Sequence, residues 1–269
     1  ELTWTLPDGS QKQQKLTLES GQTEQSIVEV AIPAVAAGGA KSQVTLAYQL
    51  QGTPLSGAQS LQVESVLLIP SAGMSDREAD FKMMTRKNIV NPNDADPTRA
   101  HLNWRGDSDL SAQCWLSLQG DALVMRLVVT DDKHNQPHPI EDAWQADSIQ
   151  MAFTVPGRSG SWVLMMARSN QGADMFQVSQ APVGLTRAIE GKVVFESKPQ
   201  AGGGKMVYEL RLPLKGLGMD AGQLRSEGLR FNLIINDADD AGREGFAFVA
   251  PGMGFGKYEN ERWPGMIFE

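Results

Sequence analysis

The sequence predicts an all-β protein: an antiparallel, jelly-roll-like β-sandwich as C-terminal domain, preceded by a smaller β-sheet domain. Three observations predict it. Two-residue alternation of apolar and polar side chains recurs along the chain, while helical periodicity is scarce. The 27 glycines and 14 prolines among 269 residues cluster between the alternating runs, where turns need them. The apolar fraction of 41% is ample for a core at this length.

Within residues 1–72, Lys15–Glu19, Ser26–Val35, Gln43–Leu50 and Gln62–Ile69 read as strands. Turns such as Ala36-Ala37-Gly38-Gly39 and Gly52-Thr53-Pro54 separate them. Three or four strands make a thin sheet, so this domain is expected to lean on a neighbour or on residues preceding Glu1. Residues 73–103 read as a connecting segment. Asn91-Pro92-Asn93-Asp94-Ala95-Asp96-Pro97 is a polar turn cluster, Phe81–Thr85 is the one apolar run, and a helical turn is expected near Asp76–Met83.

Residues 104–269 form the sandwich. Strands are expected at Ala122–Thr130, Ser148–Val155, Ser161–Ser169, Lys192–Glu196, Met206–Leu214, Leu229–Asn236, Gly245–Ala250 and Met266–Phe268, with Leu110–Leu116 also strand-like. In Ser148–Val155 the residues Ile149, Met151, Phe153 and Val155 share one face and Ser148, Gln150, Ala152 and Thr154 the other, as in a half-buried strand. The run Lys198–Lys205, with three glycines, reads as a hairpin tip.

Charge and termini narrow the function. Twenty-four basic against 32 acidic residues give a net charge of −8, unlike the clustered Lys and Arg that track phosphates, so no nucleic-acid partner is expected. No apolar run approaches the roughly 20 residues of a membrane span. The chain starts at Glu1, which suggests a processed protein or an excised segment. The single cysteine, Cys114, excludes intrachain disulfides and CxxC metal sites, and reads as a buried, inert thiol.

Catalytic signatures are missing: no Gly-x-Ser-x-Gly, no His-Glu-x-x-His, no phosphate loop. Of His101, His134 and His138, the last two are four apart across Gln136-Pro137. The proline forbids the helical spacing that would align them. A loop could still bring them to a metal beside Asp131 and Asp132; a solvated loop is the plainer reading. The turn Asn236–Arg243 offers clustered oxygens of the kind calcium uses, but Ala241 sits at a ligand position of the EF-hand pattern and Asp and Asn favour turns for their own sake. Asp131, Asp132 and Asp147 carry the same two readings. Carboxylates are plentiful, yet no pair is singled out as a glycosidase dyad, and no catalytic residue is assigned.

Six tryptophans raise the question of sugar binding, in which a flat ring packs on the apolar face of a pyranose. Trp115 and Trp162 fall within strands and read as core. Trp144 lies at the mouth of a strand that carries Gln150 on its polar side. The order of Leu123–Val129, Thr130-Asp131-Asp132-Lys133-His134, Trp144-Gln145-Ala146-Asp147-Ser148-Ile149-Gln150, Tyr208–Leu214, Phe231–Asp239 and the closing Lys257–Phe268 resembles the family 9 carbohydrate-binding modules and the wider DOMON-like sandwiches, from about Trp104 onward.

That resemblance implies a module that binds polysaccharide or oligosaccharide, holds structural calcium and rides on secreted glycan-degrading enzymes. It implies stacking by Trp144, hydroxyl bonding by Gln150, and contributions from Arg168 and Asn170. The second ring of the family's clamp falls on Phe255 or Tyr258 instead of a tryptophan, with Trp263 later at a core position. Calcium ligands are implied at Asp237, Asp239, Asp131 and Asp132. A non-catalytic, secreted or periplasmic accessory region is therefore expected. The alternative is a structural sandwich packing, through Trp104 and the Phe81 stretch, against a covalently linked glycoside hydrolase or polysaccharide lyase. Some DOMON-like sandwiches hold haem through Met and His. The Met151, Met165, Met166 and Met175 side chains read instead as core filling, so no haem is expected.

Overall fold

The computed structural model describes residues 2–5, 10–14, 41–49, 56–64, 66–71, 73–91, 98, 100, 103–178, 182–185, 194–199, 204–239, 242–254 and 256–269. The chain divides into two compact units, Glu1–Ser65 and Val66–Glu269. In the first, β1 (Leu2–Thr5), β2 (Gln11–Gln14), β3 (Lys41–Gln49) and β4 (Ser56–Glu64) form an antiparallel sheet in the order β2-β1-β3-β4. The run expected at Gln43–Leu50 corresponds to β3. Lys15–Glu19 and Ser26–Val35 lie outside the described residues.

The run Gln62–Ile69, read as one strand, is split. It supplies the end of β4 and then β5 (Leu67–Ile69), which belongs to the second unit. That unit continues with β6 (Phe81–Met83), β7 (Ile89–Val90), β8 (Leu110–Gln119), β9 (Ala122–Asp131), β10 (Ser148–Thr154), β11 (Trp162–Ser169) and β12 (Gly172–Gln177). There follow β13 (Val194–Pro199), β14 (Lys205–Pro213), α1 (Ala221–Glu227), β15 (Leu229–Asp239), β16 (Gly242–Phe248), β17 (Met253–Gly254), β18 (Lys257–Tyr258) and β19 (Gly265–Phe268). One sheet runs β12-β11-β10-β15-β16-β7, with β19 beside β15 and β5 parallel to β19; the other runs β13-β14-β9-β8-β6.

Alternation explains how these sheets pack. Ile149, Met151 and Phe153 on β10, Trp162, Leu164 and Met166 on β11, and Phe231, Leu233 and Ile235 on β15 point inward. They meet Cys114 and Leu116 of β8, Leu123, Met125 and Leu127 of β9, and Tyr208, Leu210 and Leu212 of β14. Each such side chain, fully buried, contributes roughly 1.5–3 kcal/mol. Phe153 stacks on Trp162 with centroids 4.9 Å apart. Burial pushes the Cys114 thiol well above its ordinary pKa, which leaves it a core side chain, and not a nucleophile. Trp115 departs from the expected core position. It lies on the other side of β8 from Cys114 and Leu116, part-buried, its Nε1–H donating to Arg77 O at 3.1 Å.

Residues 73–91 are more than a link. Phe81 and Met83 alternate with exposed Lys82, and that two-residue period makes β6 an edge of the five-stranded sheet where a helical turn was expected; the turn occurs earlier, as a 3-10 turn at Met74–Asp76. Phe81 is 3% exposed and stacks on Phe231 at 5.4 Å, so it is core and not an outer interface; Trp104 also packs part-buried against the core. Gly245 on β16 has the β7 backbone so close that a Cβ would stand 2.6 Å from Val90 O. The helix α1 starts at a capping box, Asp220 with Gln223, and ends at Gly228 with φ 70°. There a Cβ would stand 2.3 Å from Met266 O.

Phe81→Ala removes a buried aromatic from this joint and should cost about 3–5 kcal/mol. Urea unfolding followed by tryptophan fluorescence measures it; a loss under ~1 kcal/mol would mean that β6 is dispensable to the core.

Candidate functional site

Among the described residues, the outer face of the eight-stranded sheet carries exposed aromatic side chains. A 3-10 turn at Ile140–Gln145 covers β11, its Ala143 and Ile140 seated on Met165 and Ala167. This leaves Trp144 44% exposed. The Arg243 guanidinium lies 5.9 Å from the Trp144 ring centroid and 5.2 Å from that of Phe246. Such cation–π contacts are worth about 0.5–2 kcal/mol. Arg243 Nη2 donates to Asn236 Oδ1 at 2.7 Å, Asn236 Nδ2 to Ser148 Oγ at 2.9 Å, and Ser148 Oγ to Ala146 O at 3.1 Å. A chain of bonds thus ties the platform under Trp144 back to the end of the turn that bears it.

Gln150, half-buried, occupies the same face between Met165 and Ile234. The β17–β18 hairpin covers its far side. Met253 and Trp263 pack there on Ala152, Val163, Ile234 and Phe246, and a Cβ on Gly254 would stand 3.3 Å from Ile234 Cδ1. Tyr258, 37% exposed, is paired across the hairpin with Met253. Trp144, Gln150 and Tyr258 therefore share one face. Phe255, the other expected second ring, lies outside the described residues.

Arg168 does not join them. It continues the parity of Trp162, Leu164 and Met166, so it turns to the inter-sheet side, where Nη1 donates to Ser197 O at 2.6 Å and Ser197 Oγ at 3.1 Å. Asn170, in the β11–β12 turn, lines a cleft of about 500 Å3 with His138, Glu141 and Asp174. This cleft meets the Trp144 turn at Ile140 and Glu141. Sequence reasoning missed Arg243, whose position over the Trp144 ring is set by pairing between distant segments. It also missed Gln136, whose Nε2 donates to Ala143 O and Asp147 O at 3.0 and 2.8 Å and pins the loop beneath the turn.

At one end of the sandwich acidic side chains converge. Asp109, Asp131, Asp147, Asp237 and Glu244 are buried. Oxygens of Asp131, Asp132 and Asp239 lie within 4.8 Å of one another, as do ligand atoms of Asp131, His134 and Asp147. Asp237 is outside both groups. Arg105 Nη2 reaches Asp132 at 3.1 Å and Asp239 at 3.5 Å and also pairs with Asp109. Burial, then Asp147 and Asp131, push the Asp237 carboxyl up to about 9. Burial, then Asp147, bring Asp131 to about 7, and burial, then Asp239, bring Glu244 to about 7. Burial alone would lower the His134 pKa, but Asp147, the Arg168 carbonyl and Asp131 outweigh it and hold the pKa above the ordinary value. Of the four methionines read as core filling, Met151 and Met166 fill the core, Met165 lies under the Trp144 turn and Met175 packs part-buried against the core.

No protein-family profile and no curated protein matches the chain. Among solved structures it is similar to a family 9 carbohydrate-binding module from Caldicellulosiruptor kristjanssonii in complex with cellotriose. That match has 13% identity and a TM-score of 0.46 over 76% of this chain and 93% of that one. It is also similar to the glucose complex of a family 9 module from the same organism, at 13% identity and TM-score 0.45 over 76% and 95%. A third is a candidate carbohydrate-binding protein from Bacteroides uniformis, at 9% identity and TM-score 0.44 over 76% and 100%.

The raised carboxyl pKa values fix a sign. Unfolded aspartates and glutamates release their protons near pH 4, whereas Asp237, Asp131 and Glu244 keep theirs to about 9, 7 and 7 when folded. Across that window the folded state binds more protons, so stability falls as pH rises. Chelator-treated protein should therefore melt at progressively lower temperature from pH 5 to pH 9, and Asp237→Asn should flatten the slope. A melting temperature that climbs over this range would contradict the assignment.

Proposed function

We propose that this chain is a non-catalytic carbohydrate-binding region that serves a secreted or cell-surface glycan-processing protein. One observation carries the reading: Trp144 presents an exposed ring, braced by Arg243, on a face that also bears Gln150 and Tyr258. An exposed indole fixed from behind loses little freedom when a pyranose stacks on it, and such a platform adds roughly 0.5–1.5 kcal/mol beyond buried area. Gln150 offers an amide donor and an acceptor to ring hydroxyls, and Asn170 does so in the adjoining cleft. Tyr258 supplies the second aromatic surface. Arg168, bonded to Ser197, acts as a strut between the sheets.

Calcium at Asp131, Asp132 and Asp239 belongs to the same reading. Asp239 Oδ1 is buried with no hydrogen-bond partner among the described residues, and a hard, oxygen-loving cation suits that donor set. When bound it supplies charge that offsets the carboxylate repulsion. Asp147 fixes the neighbouring loop by accepting from Asn135 N and Ala238 N.

Affinity electrophoresis against plant and algal polysaccharides, with Ca2+ and with EDTA, tests both parts. Retention of the wild type should weaken at least about tenfold in Trp144→Ala, and EDTA should reduce it. Silence of the wild type across all the glycans would overturn the binding function and leave a structural sandwich domain.

A further inference from the structure

The loop after β9 contains a nitrogen donor that the all-oxygen calcium reading does not use. His134 Nε2 lies 2.9 Å from Arg168 O. A carbonyl only accepts, so Nε2 carries a proton, and when the ring is neutral its lone pair is on Nδ1. Nδ1 stands 3.3 Å from Asp147 Oδ2 and 3.9 Å from Asp131 Oδ2. Two ligands about 2.1 Å from a shared ion at a tetrahedral angle are ~3.4 Å apart, so the spacing already suits a small divalent cation. A ring N–H donating to a backbone carbonyl is also how metal-bound histidines are oriented. Asp147 Oδ1 is held by Ala238 N–H at 2.8 Å and Asp131 Oδ1 by Lys133 N–H at 2.7 Å. The Oδ2 atom of each carboxylate is the one nearer the ring, that of Asp147 also accepting from Asn135 N–H.

An independent observation points to a cation. Asp237 is 7% exposed, and among the described residues its carboxylate has no hydrogen-bond partner. It shares the inner side of β15 with Ile235 and Leu233, next to the Ala238 amide that bonds Asp147. Asp147 and Asp131 are its strongest charged neighbours. A buried carboxyl with no protein partner, near two others, is costly to ionise, and a cation held by Asp131 and Asp147 lowers that cost.

We propose that His134 Nδ1, Asp131 and Asp147 form a binding site for a first-row divalent transition metal, zinc in particular. Imidazole nitrogen selects such metals over calcium. Asp131 is common to this site and to the Asp131–Asp132–Asp239 group, and the zinc site stands whether or not the second group holds calcium.

Isothermal titration of the chelator-treated full chain with Zn2+ and, separately, Ca2+ tests this, with Co2+ as a spectroscopic probe. Zn2+ should bind with unit stoichiometry, and Co2+ should develop visible ligand-field absorption. His134→Ala should weaken Zn2+ at least about tenfold and abolish the Co2+ bands while leaving Ca2+ unaffected. Asp132→Asn should weaken Ca2+ and spare Zn2+, which separates the two sites. Nitrogen-15 spectra of the wild-type ring add a test that needs no variant: with Zn2+ present, Nδ1 should be unprotonated and Nε2 protonated. No Zn2+ binding, equal Zn2+ affinity in His134→Ala, or a ring protonated on both nitrogens in the presence of Zn2+ would each overturn the site and leave His134 as a salt bridge.

Discussion

Two backbone N–H groups donating to one buried carboxylate, that of Asp147, organise the acidic end of the sandwich. One comes from Asn135 in the loop after β9, the other from Ala238 on β15. The loop that leaves one sheet is thereby closed onto the other. Gln136 then fastens the same loop to the Trp144 turn, and Ser148 and Asn236 carry the connection on to Arg243. Asp147 also meets His134 and weighs on Asp131 and Asp237. The aromatic face and the acidic cluster are two sides of one loop anchored at one residue.

This coupling has an energetic reason. The apolar interior fills the space between the sheets up to Ile235 and Val129, and beyond that level the inward positions are taken by Asp237 and Asp131. Polar side chains at inward positions are tolerated only with partners. Asp147 and Asp109 have theirs in backbone amides and Arg105. Asp237 has none among the described residues, so its burial is not offset in the same way.

Much of the fold was legible in the chain because two-residue parity is local. The strands β9, β10, β11, β14 and β15 lie close to where alternation placed them. Parity also held information about the site. Trp162, Leu164 and Met166 are inward, so Arg168 must be inward too, whereas Ile149 and Met151 put Gln150 outside. The resemblance that grouped Arg168 with Trp144 overrode a signal already present in β11. The helix α1 had its own signature as well, Asp220 and Gln223 at capping-box spacing with Gly228 beyond. Other features had no local trace. Arg243 reaches Trp144, and Asp237 nears Asp131, only through register between strands remote in sequence, and Phe81 looked like part of a linker because its partner Phe231 lies far along the chain.

The pairing of β5 with β19 bears on how the second unit responds to pulling. The two strands run parallel, Leu67 beside Met266 and Ile69 beside Phe268, and Glu269 closes the pair by donating its N–H to Ile69 O and accepting from Ser71 N. Tension applied between Val66 and Glu269 draws neighbouring strands in opposite directions along their common axis. The evenly spaced ladder bonds of a parallel pair then share the load in shear, where a hairpin pulled open at its ends would release them one at a time. Tension applied at these two points meets this patch first, so resistance to extension is concentrated at the edge of the sheet, away from the loop that holds Trp144.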